Sequence, residues 1–297
     1  MTVFFSQLIN GLSLGSIYAL IALGYSMVYG IILLLNFAHG DVIMVGAYMS
    51  WFVMNQLGLG PVTAVCATII TCTLLGVVIE KIAYTPLRSA PRISLLITAI
   101  GVSYFLQNSA LLIWKAAAKT YPPVVAGAVQ LFDGQLTISY ISLLTIAACI
   151  VIMLALTTFV SKSKMGKAMR ACSEDKGAAQ LMGINVNSTI SATFAIGSAL
   201  AAIAGVLLCS FNTSLMPTTG SMPGIKAFTA AVFGGIGSIP GAVIGAFLIG
   251  ICETIIKGLP SAWNVSVFSD AFTFALLIII LTCKPTGLFG EKATDKV

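Results

Sequence analysis

Apolar runs, each cut off by a short polar break, follow one another along this chain. The longer ones occupy 8–35, 61–79, 93–114, 137–160, 187–211, 242–256 and 268–283, and shorter ones 42–54 and 224–233. A helix crossing the hydrocarbon core needs roughly 20 apolar residues. Lipid offers backbone N–H and C=O groups no partner, so each run has to satisfy its own backbone as helix. The pattern predicts an all-α fold: a polytopic transmembrane bundle of eight or nine membrane segments, one domain over 1–297. Only 8% of the residues are charged and 58% are hydrophobic, whereas a soluble domain carries about 25% charge. A water-soluble chain of this length has no way to hide so much apolar surface. The net charge of +6 does not point to nucleic acid, because most of the positive residues sit in short loops between runs.

Two interruptions stand out, one in each half. The first is Asn36-Phe37-Ala38-His39-Gly40-Asp41, which holds the single histidine. The run that follows, 42–54, is too short to cross comfortably. Asn36, His39 and Asp41 at membrane depth are costly unless they face protein or water. Either they cap and pin a helix break, or the break lines a pathway. The second interruption, 234–241, contains Gly234, Gly235 and Gly237. Inside a membrane, such glycines read as permitting close backbone packing. Interrupted segments in corresponding halves point to a pathway in transporter folds. In the first run, Gly11, Gly15, Ala19 and Ala22 step along one helix face. That small-residue stripe predicts a close helix neighbour.

The loops set an orientation. Positive residues cluster at 81–92, at 161–176 and in the tail, which should therefore be cytoplasmic. The expected topology has the N-terminus outside and the C-terminus inside. Trp51, Trp114 and Trp263 then fall at external ends, as half of an aromatic belt would. The opening MTVFFSQLIN has no Lys or Arg, unlike the basic start of a signal peptide. Six of the seven cysteines lie in apolar runs and none forms a CxxC pair, so they read as small apolar residues rather than a disulfide or metal framework.

The long polar loop 161–186 carries Lys162, Lys164, Lys167, Arg170 and Lys176. Ala168, Ala171, Ala178, Ala179 and Met182 recur at helical spacing, which predicts one helix with a small apolar face and Lys167, Arg170 and Glu174 opposite. Such a stretch either docks into a cleft on another protein, lies at the membrane surface as an amphipathic helix, or is a solvated loop.

Several chemistries are missing. The chain has no GxxxxGK[ST] phosphate loop, HExxH, GxSxG or clustered carboxylates, and Asp41, Glu253 and Asp270 are scattered in sequence. No catalytic residue, cofactor or metal site is expected. A proton-coupled secondary transporter with His39 and Asp41 as relay is the main rival to a subunit driven by partner chains.

At this point the residues carry a resemblance. NFAHGD at 36–41, GKAMRACSEDKGAAQLMGIN at 166–185, FGGIGSIPGAVIGA at 233–246 and PTGLFGE at 285–291 resemble the shorter permease subunit of bacterial branched-chain amino-acid ABC importers, over nearly the whole chain. The resemblance implies a multi-pass protein of the inner (plasma) membrane. It implies a second permease, usually a different chain, two cytoplasmic ATP-binding subunits and an external solute-binding protein. The cargo it implies is leucine, isoleucine or valine; related permeases carry urea, short amides or other amino acids. The loop 161–186 is then similar to the coupling helix that contacts the ATPase. Asp175, Ala179, Gly183 and Ile184 match that pattern, with Ala171, Ala178, Ala179 and Gly183 forming the expected docking face. The Glu-Ala-Ala form of other ABC importers is replaced here by Glu174-Asp175-Lys176-Gly177.

Overall fold

The computed structural model describes residues 2–32, 36–88, 90–131, 136–259, 265–284 and 286–290. Trp263, Asp133, Pro285 and the tail beyond 290 lie outside them.

Among the described residues the chain is a polytopic helical bundle. Six helical stretches are long and apolar enough to span a membrane: Phe4–Ile31, Pro61–Leu87, Ile93–Trp114, Tyr140–Lys162, Val186–Phe211 and Ile239–Lys257. The helices in order are α1 (Thr2–Ile32), α2 (His39–Trp51), α3 (Pro61–Ile79), α4 (Arg92–Trp114), α5 (Tyr140–Lys162), α6 (Lys164–Glu174), α7 (Lys176–Leu181), α8 (Val186–Phe211), α9 (Ser221–Gly234), α10 (Ile239–Lys257) and α11 (Ser269–Cys283). A π-helical turn at Glu80–Tyr84 lengthens α3. The polar segment after α4 contributes to two small sheets. There β1 (Lys119–Thr120) pairs with β4 (Ser214–Leu215), and β2 (Ala128–Leu131) pairs with β3 (Leu136–Ser139).

The core forms around α1, which is buried along most of its apolar length. The small-residue stripe is the cause. A Cβ on Gly11 would lie 2.8 Å from the Ile251 Cα, and one on Gly15 would lie 2.9 Å from the Phe247 Cα, so α10 lies backbone to backbone on α1. Ala19 and Ala22, farther along the same stripe, are fully buried. By contrast, α4 and α5 show much of their apolar surface to the outside of the chain.

One end of the bundle is aromatic. Tyr48 stacks on Trp114 at 4.5 Å, and Trp51 Nε1 donates to the Thr120 carbonyl at 3.1 Å. Tyr121 shares a 2.7 Å hydrogen bond with Ser50, and burial pushes its phenol above the ordinary value, so it stays neutral. At the other end lie the basic loops.

Candidate functional site

The loop 161–186 is not one helix. Each of its bends has its own cap. Ser163 ends α5, and its Oγ accepts from Gly166 N at 2.9 Å to start α6. Asp175 leaves helical geometry (φ −154°, ψ 115°), and its Oδ1 accepts from Gly177 N at 2.7 Å and Ala178 N at 3.1 Å. A second helix, α7, therefore starts where a continuous one was expected. Gly183 sits at φ 81° and closes α7, with Ile184 N donating to the Ala179 carbonyl and Gly183 N to that of Gln180, both at 3.0 Å. Asn185 then caps α8 through Ser188 N at 3.1 Å.

The break at Asp175 changes which residues face out, because helical phase does not carry across it. Met169 and Cys172 of α6 face the bundle. Ala171 is partly buried, Ala178 is exposed, and Ala179 is only 3% exposed, turned into its own chain. The expected docking face Ala171–Ala178–Ala179–Gly183 is thus not a single surface. What projects instead is the apolar pair Leu181 and Met182, 90% and 83% exposed at the tip of α7. Asp175 and Gly183 shape the tip by their turns, and Ile184 packs partly against the core.

A polar network ties the start of α8, just beyond this loop, to the end of α3. Arg88 pairs with Glu80 and also bonds Asn187 at the start of α8. Fully buried Glu80 further accepts from Thr85 Oγ1 at 2.8 Å and Ser191 Oγ at 2.7 Å. At the end of the same turn, Tyr84 donates to Asn36 Oδ1 at 2.9 Å. Sequence reading missed Glu80 and Tyr84 because their partners are far away in the chain.

The first interruption is a true break. Asn36, His39 and Asp41 are all buried. The His39 ring lies against Tyr25 at 4.6 Å between centroids and also against Gly24. Asp41 accepts from Gln107 Nε2 of α4 at 2.9 Å. No hydrogen bond joins His39 to Asp41 among the described residues.

The second interruption has a different character from the first. Gly234 to Gly241 make the turn from α9 to α10, with Gly235 and Gly237 at φ 106° and 93°, a region other residues rarely adopt. Gly237 N donates to Ser26 Oγ at 3.1 Å, and a cavity of about 150 Å³ here is also lined by Met169 and Arg170 of α6. This turn therefore meets the 161–186 loop, not the first break. The partner of the first break is the start of α9. A Cβ on Gly40 would lie 2.8 Å from the Gly220 carbonyl, and one on Gly224 would lie 3.0 Å from the Gly40 Cα. Two short helices, α2 and α9, thus begin side by side inside the bundle. They leave in opposite directions, α2 toward Trp51 and α9 toward the basic end.

The acids that looked scattered are partly joined. Lys226 Nζ of α9 lies 2.7 Å from Glu253 Oε1 and 2.6 Å from Asp270 Oδ1, and Lys257 Nζ lies 2.6 Å from Glu253 Oε1. Tyr18 donates to Glu253 Oε2 at 2.9 Å. This cluster holds α1, α9, α10 and α11 together.

Comparison with known proteins supplies the family. Residues 7–281 match the model described as "Branched-chain amino acid transport system / permease component". The chain is 43% identical over 309 residues to the high-affinity branched-chain amino acid transport system permease protein BraD of Pseudomonas aeruginosa, covering 99% of this chain and 98% of the relative. It is 44% identical over 312 residues, with the same coverage, to LivH of Escherichia coli K12, which bears the same description. A probable branched-chain amino acid transport permease protein LivH of Methanocaldococcus jannaschii is 29% identical over 287 residues, covering 93% and 89% of the two chains. The chain belongs to the permease components of branched-chain amino acid transport systems.

Proposed function

We propose that the chain is the membrane-spanning subunit of an ATP-driven importer that passes branched-chain amino acids inward by alternating access. The observation that carries this reading is end-to-end identity above 40% to permeases of that transport class. The chain does no bond chemistry. ATP hydrolysis belongs to two separate cytoplasmic subunits. A second permease, usually a different chain, completes the pathway, and an external binding protein delivers cargo.

The exposed Leu181–Met182 tip supports a docking role toward the ATP-binding subunits, because an exposed apolar pair on a capped, rigid turn suits insertion into a groove. The contacts of Arg88 with Asn187 and Glu80, and of Tyr84 at the end of the same turn with Asn36, support a path inward from the start of α8. Nine membrane segments follow if α2, α9 and α11 count as short segments beside the six long ones. The N-terminus is then outside and the basic loops cytoplasmic.

The deciding experiment reconstitutes the chain with its partner subunits and binding protein in vesicles. Leucine uptake should require ATP and persist when the proton gradient is collapsed. Uptake that follows the proton gradient without ATP would overturn the reading.

A further inference from the structure

Between α2, α4 and α9 lies a cavity of about 310 Å³, at the small end of the roughly 300–1,000 Å³ typical of ligand sites. One wall is polar. Gln107 Nε2 lies 2.9 Å from Asp41 Oδ1 and 3.3 Å from both Ser103 Oγ and Ser221 Oγ. The other wall is apolar and aromatic, with Phe37, Ile100 and Phe228. Asp41 carries the only formal charge among the lining residues. Its partners are neutral donors, and no cation pairs with it among the described residues. The N-terminal ends of α2 and α9 converge here and favour a negative charge at this spot. An ionisable side chain at this depth that faces a cavity marks a pathway by default.

We infer that this cavity is a transit site for the cargo, in which the Asp41 carboxylate takes the α-ammonium group and the Phe37–Ile100–Phe228 wall takes the branched side chain. This rests on the reading of the chain as an amino-acid permease. An ammonium group brings three donors and no acceptor. It therefore suits one carboxylate flanked by the Ser103 and Ser221 hydroxyl oxygens. A single carboxylate offers too few ligands for a divalent metal ion. His39, the other group a proton path would need, does not line the cavity. The cargo carboxylate is left at the open side, rimmed by exposed Tyr104 and Ile225.

The test uses Ser103→Cys in the assembled importer, without binding protein or ATP. A small methanethiosulfonate labels the new thiol, and peptide mass spectrometry reads position 103 alone, so native cysteines do not interfere. Leucine, and isopentylamine (leucine without its carboxylate), should slow labelling at least threefold. 4-Methylpentanoate, which is leucine without its ammonium group, should not. Adding Asp41→Asn should abolish protection by leucine. Equal protection by 4-methylpentanoate, or protection that survives Asp41→Asn, would overturn the assignment. So would absence of protection by leucine in an importer whose parent takes up leucine with ATP. If Asp41→Asn does not assemble, the three-compound comparison in Ser103→Cys still decides. A parent importer that takes up no leucine fails the transport reading instead, and does so separately.

Discussion

Leu181 and Met182 are the residues whose exposure has the clearest consequence. Burying an apolar side chain of this size is worth about 1.5–3 kcal/mol, and each 1.4 kcal/mol is about tenfold in affinity. Replacing both with Asp should lower recovery of the ATP-binding subunits on the purified permease by tenfold or more. Exposed Lys167→Gln is the control and should leave recovery within about twofold. Equal recovery for all three proteins would show that the tip does not dock. Ala179 calls for the opposite expectation. It is buried in its own chain, so Ala179→Trp should cost roughly 1–3 kcal/mol by overpacking. That loss should appear as a lower thermal midpoint of the permease even without ATP-binding subunits. A midpoint equal to the parent's would place Ala179 at the partner surface after all. The reason this face differs from the one expected at helical spacing is local. Counting at helical spacing assumes one unbroken helix, and the Asp175 cap breaks it. The Asp175-Lys176-Gly177 run held that information, since Asp is a preferred N-cap.

At the level of elements, the spans were legible because lipid imposes one rule on every one of them. Residues 61–79 and 93–114 coincide with helices to within a residue. The Gly11–Gly15 stripe was legible as a contact, though not its partner α10. The meeting of α2 with α9 was not legible, because nothing local to either one records it. Gln107 had a faint signal: Ser103 and Gln107 form a polar pair one turn apart in an otherwise apolar run. The joined acids were hidden because Lys226 looked like an ordinary residue of a short run. That cluster supports a prediction. Removing one partner of a buried ion pair costs about 3–5 kcal/mol, mainly by leaving the other charge unsatisfied. Glu253→Leu should therefore lower the thermal midpoint strongly. Combining it with Lys226→Met should recover part of the loss. Losses that simply add would mean that the two charges do not act as a pair in solution.

On the scale of the whole molecule, the two ends differ in chemistry: aromatic at Trp51 and Trp114, basic at 161–176. Ala117→Cys, exposed at the aromatic end, should react with a membrane-impermeant maleimide only in right-side-out vesicles. Lys164→Cys should react only in inverted ones, and the reverse pattern would invert the topology. The pairing of α2 with α9 also bears on how the protein is made. Gly40 waits for Gly220, about 180 residues later in synthesis. At roughly 5–20 residues per second that is on the order of ten to forty seconds. Throughout that interval the N-terminal end of α2 lacks that neighbour, although Gly46 farther along it meets Thr68 and Cys72 as soon as α3 is made, so the open end should stay beside the insertion machinery. Ribosomes stalled between α2 and α9 should leave α2 crosslinked to that machinery, and those stalled after α9 should release it.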